Sequence, residues 1–132
     1  MHNSMKSYRE LEIYQESKKL AIEVHLMSLT LPKFELHEQG SQVRRSSKAI
    51  TANLVEGYSR RRYKADFIRY LIYSQSACDE TMVHLEFLYE TGSIKVETKF
   101  SDLNSKYDSL SKRINKFTQW VDANWKISNE KA

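Results

Sequence analysis

Apolar residues recur along most of this chain at alternating intervals of four and three. The last third shows it unbroken: Val96, Phe100, Leu103, Tyr107, Leu110, Ile114, Phe117 and Val121. A helix turns by about 100° per residue, so this spacing lines one face of a helix and no face of a strand. The same steps run through Ile13, Ser17, Leu20, Val24 and Met27, with Tyr14 and Ala21 widening the stripe. They return in Val43, Ser47, Ile50 and Leu54, and again in Phe67, Leu71, Ser74, Cys78, Thr81, Leu85 and Leu88. One proline and three glycines in 132 residues leave too few turn signals for a β-sandwich. The pattern predicts an all-α protein, an antiparallel up-down-up-down four-helix bundle. It forms a single domain over residues 1–132, with 1–6 and 125–132 as frayed tails and Trp125 as a residue that could dock. A coiled coil fits the last stretch less well, because no partner-specifying charge pattern flanks the seam.

The boundaries follow from caps and breakers. Ser7 stands three residues before Glu10, a capping-box spacing. The first helix is predicted over Tyr8–Leu29 and is stopped by Pro32. The second is predicted from Leu36 or Glu38 to Gly57, with Gly57 as a left-handed C-terminal residue. Gly40 weakens its first turns by roughly 1 kcal/mol. Small Ser46, Ala49 and Ala52 permit close helix approach. The third helix is predicted over Tyr63–Thr91, closed by Gly92. Connections of about five to seven residues make neighbours antiparallel. The third helix is also apolar away from its seam, at Ile72, Tyr73, Val83 and Phe87. A helix apolar on two sides is buried on two sides. Ile72, Val83 and Phe87 are therefore expected to form an oligomer interface.

Charge is concentrated in residues 42–70. Eight basic residues there (Arg44, Arg45, Lys48, Arg60, Arg61, Arg62, Lys64 and Arg69) face two acids, Glu56 and Asp66. The segment carries +6 while the whole chain carries +4, so the remainder is acidic. A local basic excess points to an anionic partner, although a charge run also serves simply as a solvated corner. Arg44, Arg45, Lys48, Arg60, Arg61, Arg62 and Lys64 are the candidate nucleic-acid contacts. Tyr58 and Tyr63 bracket the arginine triplet and could stack on bases; anchoring the turn to the core accounts for them equally well.

The chain shows no sign of catalysis. It has no phosphate-binding GxxxxGK[ST] loop and no GxGxxG. No HExxH motif is present, and no Arg is followed by a His at the spacing of helical ribonucleases. Glu80 and His84 lie four apart, but a metal bundle wants several such groups, so neither metal nor cofactor is expected. Cys78 sits in an apolar seam, as a buried inert thiol does. A single cysteine excludes an internal disulfide and fits a reducing cytoplasm. The first residues lack the apolar core of a signal peptide, and no run of about 18 apolar residues offers a membrane span. Asn53, Glu56 and Gly57 close the second helix. Glu56 could be read as a base, but a lone carboxylate among arginines has a depressed pKa. The favoured reading is structural: Asn53 and Glu56 fix the turn, with Glu56 facing Arg69 or a turn arginine.

The runs QVRRSSKAITANLVEG, RRRYKADFIRYL and SACDETMVHLEFL resemble, in order, the motifs of a bacterial four-helix-bundle family. That family is named for reading frames in the intervening sequences of large-subunit ribosomal RNA genes. It is similar to the accessory protein of diversity-generating retroelements. The matching positions are Gln42, Val43, Arg44, Arg45, Ile50, Asn53, Leu54, Glu56, Gly57, Phe67, Ile68, Arg69, Tyr70, Leu71, Ser76 and Glu80. Thr51 stands where proline is usual, which should straighten the second helix. Met82 stands where a second glutamate is common. The resemblance implies a homopentameric ring without established catalytic activity. It implies RNA or DNA as a partner, and in the retroelement relatives a protein partner as well. Two functions therefore remain open from sequence: nucleic-acid binding through a basic surface, and a protein–protein adaptor with incidental positive charge.

Overall fold

The computed structural model describes residues 7–126. Four helices carry the chain: α1 (Glu12–Ser28), α2 (Gln39–Ser59), α3 (Lys64–Glu90) and α4 (Glu97–Asn124). Short 3-10 turns precede α1 (Tyr8–Glu10) and α2 (Lys33–Leu36), and no strand occurs among the described residues. The order around the bundle is read from side-chain bonds. Ser17 meets Thr51, and Ser28 meets Arg44. Thr81 meets Ser46, and Ser74 meets the Ile50 carbonyl. Cys78 meets Tyr107, while Arg113 reaches Glu12. Gln75 also meets Ser111 and Lys106 meets Glu23. On every neighbouring pair of helices the joined positions run in opposite directions along the two helices, so all four contacts are antiparallel.

The seams read from the sequence form the core. Ile13, Leu20, Val24, Val43, Ile50, Leu54, Phe67, Leu71, Leu85, Leu88, Leu103, Leu110 and Ile114 are buried. Small polar seam residues face inward with their hydroxyls satisfied locally: Ser17 donates to the Tyr14 carbonyl and Thr81 to the Ala77 carbonyl. These bonds let helices approach without an unpaired donor. Cys78 donates to the Tyr107 carbonyl at 3.2 Å, and burial pushes its thiol up to about 12. It is a packing residue, not a nucleophile.

Several boundaries differ from the sequence reading for definite reasons. Ser7 accepts from the amide of Arg9, capping a 3-10 turn, and α1 begins only after the buried Leu11. Gly57 is no left-handed terminus. It lies inside α2, which runs two residues further, and the only positive φ among the described residues belongs to Gly92. A Cβ on Gly57 would stand 3.1 Å from the Cβ of Tyr70 and 3.3 Å from the Phe67 carbonyl. The glycine is there for contact with α3. Gly40 has a similar purpose, since a Cβ would collide with the carbonyl oxygen of Glu35. Thr51 does lie in an unbroken α2, its hydroxyl donating to Ser17. Val96 is exposed because it precedes α4 as its N-cap residue. Trp125, at the start of the expected tail, is docked and buried. The tails 1–6 and 127–132 lie outside the described residues.

Candidate nucleic-acid interface

The α2–α3 turn occupies four residues, Arg60 to Tyr63, between the helix ends. An aromatic platform lies beneath it. Phe67 packs edge-on against Tyr58, Phe117 and Trp125, with ring centroids 6.2, 6.1 and 5.2 Å away. Trp125 also donates its indole N–H to the Arg61 carbonyl at 3.0 Å. The chain's last described segment thus fastens the turn from below. Backbone bonds from Arg61 to the Tyr58 carbonyl and from Tyr63 to the Arg60 carbonyl close it.

On this base the cations are deployed differently. Arg60 donates to Glu56 at 3.0 Å and lies 3.9 Å from Asp66, which in turn accepts from Arg69 at 2.8 Å. The Glu56 bond raises the Arg60 pKa further, so the guanidinium stays charged. Both Arg60 and Arg69 stand over the Tyr70 ring, at 5.1 and 5.7 Å. Arg61 covers the face of Tyr58 at 4.2 Å and donates to its carbonyl. Arg62 lies over Tyr63 at 5.9 Å, and both are exposed; Lys64 follows, half-buried. Such cation–π contacts draw a guanidinium to the face of the ring. Arg62 and Tyr63 are left exposed beside the half-buried Lys64, while Arg60 and Arg61 are held by partners within the protein. Tyr58 is buried and anchors the turn, whereas Tyr63, 57 % exposed, presents a ring on which a base can stack.

The other candidates lie elsewhere. Arg44 donates to the Ser28 hydroxyl at 3.0 Å and to the Leu36 carbonyl at 2.6 Å, pinning the α1–α2 connection. Lys48 approaches the ring nitrogen of His25 on α1 at 3.0 Å. Arg45 is exposed but stands fifteen residues before Arg60, about 22 Å along the helix. The seven residues do not form one patch. Of the expected group Asn53, Glu56, Gly57 and Arg69, Glu56 does face a turn arginine, accepting from Arg60. Asn53 instead bonds the Ala49 carbonyl within its own helix, and Arg69 takes Asp66. Asp66 and Tyr70 are the partners that the sequence reading passed over, and for Trp125 it gave no docking place. The Asp66–Arg69 spacing of three was the one readable signal among them.

Elsewhere, His84 bonds Glu80 at 3.0 Å through one ring nitrogen and Gln39 through the other. Among the described residues no three metal-ligating groups converge. No helix among them is long and apolar enough to cross a membrane. Ile72, Val83 and Phe87 share the outer face of α3, 49, 46 and 54 % exposed.

Comparison with known proteins agrees with this architecture. The fold is shared by a crystal structure from Bacteroides thetaiotaomicron, a protein of unknown function from the S23 ribosomal protein family. That structure superposes with a TM-score of 0.70 at 23 % identity, over 81 % of this chain and 95 % of the other. No curated protein matches the sequence. Residues 9–116 match the family described as 23S rRNA-intervening sequence protein. With that match covering α1, α2, α3 and most of α4, the chain belongs to the 23S rRNA-intervening sequence protein family.

Proposed function

We propose that this chain is a non-enzymatic, self-assembling protein that binds the backbone of RNA or DNA through its α2–α3 turn, working in the cytoplasm as a homopentameric ring. The observation that carries the reading is the exposed pair Arg62 and Tyr63, with Lys64 next in the chain, on a turn fastened by Trp125. Two cations beside an exposed aromatic ring suit a phosphate–base step of a single strand. One such site is weak. A ring repeats it, and linked weak sites gain by effective concentration. Arginine suits the position because its planar fork pairs with phosphate.

Binding is expected to be sequence-independent and salt-dependent. The log–log slope should be about −0.7 per phosphate neutralised on single strands and about −0.9 on duplex DNA. Replacing both Arg62 and Lys64 by Gln should flatten the single-strand slope by roughly 1.4 if each neutralises one phosphate. Tyr63→Ala should weaken single strands by roughly 1–3 kcal/mol per stacked base and duplex much less. Absence of binding at about 50 mM salt, where counterion release is most favourable, would rule the reading out. The adaptor function would then stand, favoured by the exposed apolar face of α3.

A further inference from the structure

Two separate apolar surfaces face solvent. One is the outer face of α3. The other is a groove of about 470 Å³ between α1 and α2, whose floor and walls are Tyr14, Ala21, Ile22, Leu26, Ala52 and Val55. Ile22 and Leu26 are 53 and 59 % exposed on its rim. Monomeric proteins scatter exposed apolar side chains singly, and contiguous ones mark contact surfaces.

The charges around the two surfaces are opposite. The groove is fringed by Lys18, His25 and Lys48 and has no carboxylate among its lining residues. The α3 face is bracketed by acids. At about 100° per residue, Asp79 and Glu86 flank the Ile72–Val83–Phe87 stripe on one side and Glu80 on the other. All three acids are exposed. Lengths agree as well: Lys18 to Leu26 spans about 12 Å of α1, enough for Val83 and Phe87, one turn apart, with an acid reaching each fringe.

We infer that the α1–α2 groove receives the outer face of α3 from a second copy of this chain. The inference rests on the reading that the chain assembles, and it adds which surfaces meet. Pairing α3 with α3 would set Asp79, Glu80 and Glu86 against themselves. Pairing groove with groove would set Lys18 and Lys48 against themselves. Only the mixed pairing brings opposite charges together around a desolvated apolar centre. A contact between two different surfaces is head-to-tail, the kind that builds a ring when its rotation closes and an open filament when it does not.

Sedimentation without nucleic acid tests this independently of the turn. Phe87→Asp damages the α3 face and Leu26→Asp damages the groove, both at exposed positions where circular dichroism should stay unchanged. Each variant alone is expected to be a monomer. Mixed, they are expected to form a one-to-one dimer and nothing larger, because the pair retains one intact groove and one intact α3 face. The double change Lys18→Glu/Lys48→Glu provides a second groove variant, also expected to be monomeric alone and to pair with Phe87→Asp. A monomeric wild type at micromolar concentration would overturn assembly and the inference together. An oligomeric wild type whose Leu26→Asp variant assembles normally, or folded variants that stay monomeric when mixed, would overturn the inference alone.

Discussion

Arg44 and Arg62 carry the same charge in the same basic stretch, yet they do opposite things. Arg44 stands one α2 turn from Gly40, where the α1–α2 connection folds back, and its guanidinium meets a hydroxyl and a carbonyl. Around it the connection is closed on itself. The buried Glu35 accepts from the Gln39 amide at 2.9 Å and from the Ser93 hydroxyl at 2.6 Å, tying this end to the α3–α4 connection. Arg62 stands at the opposite end, over an exposed tyrosine. The difference lies in what neighbours leave unsatisfied. The α1–α2 connection is long enough, at ten residues, to turn carbonyls inward that need donors. The α2–α3 turn has four residues and satisfies its backbone itself, with help from Trp125. Its backbone therefore makes no demand on Arg62, which stays exposed.

The largest expected effect comes from removing the platform beneath that outward end. Phe67 is fully buried and touches three other rings. Phe67→Ala should cost about 4 kcal/mol in denaturant unfolding, and the turn should become a site of early proteolysis. A loss below about 1 kcal/mol would show that the platform relaxes to fill the space.

At the closed end, Arg44→Gln removes a charged donor from two half-buried acceptors. The expected cost is about 2 kcal/mol, from charge-assisted bonds and the desolvated groups left behind. A thermal melt should fall while the salt dependence of any nucleic-acid binding stays as in wild type. If the melt is unchanged and the salt slope falls, Arg44 belongs with the binding cations after all. Gly40→Ala probes the same end through the backbone. Alanine gains about 1 kcal/mol of helix propensity over glycine, but its Cβ meets the Glu35 carbonyl, which is backbone and cannot swing aside. Overpacking of this kind costs typically 1–3 kcal/mol, so a net loss of about 1 kcal/mol is expected. A stabilised variant would mean that the connection moves easily.

The seams of all four helices were legible because burial imposes a period, and a period survives in sequence. Three of the seven candidate cations could not be sorted that way. Arg44, Lys48 and Arg62 look alike in the chain, and only the partner supplied by another element separates them. Arg44 finds Ser28 from α1, Lys48 finds His25, and Arg62 finds its own neighbour Tyr63. Gly57 was misread for a related reason. A glycine near a helix end satisfies a local rule, but here the requirement comes from Tyr70, thirteen residues on. Trp125 was legible as a residue that could dock, but not where it docks, because no seam position claimed it. Its indole bond to the Arg61 carbonyl is a tertiary fact with no local signature. The apolar outer face of α3 was legible, since Ile72, Val83 and Phe87 violate the polar side of the period. The groove opposite in charge was not, because it takes residues from two helices.

The smallest stability effect belongs to Arg62→Gln, and it completes the contrast with Arg44. Arg62 is exposed and lies over the Tyr63 ring. Surface substitutions of this kind usually change stability by no more than about 0.5 kcal/mol. The melt should therefore match wild type, while the slope of binding against salt should fall by about 0.7 on single-stranded RNA. The two single variants thus separate two properties that one charge count combines: Arg44 moves the melt without the slope, and Arg62 moves the slope without the melt. Should Arg62→Gln lower the melt as much as Arg44→Gln, the guanidinium is a structural brace for Tyr63, and the outward surface of the turn loses the cation best placed to meet a phosphate.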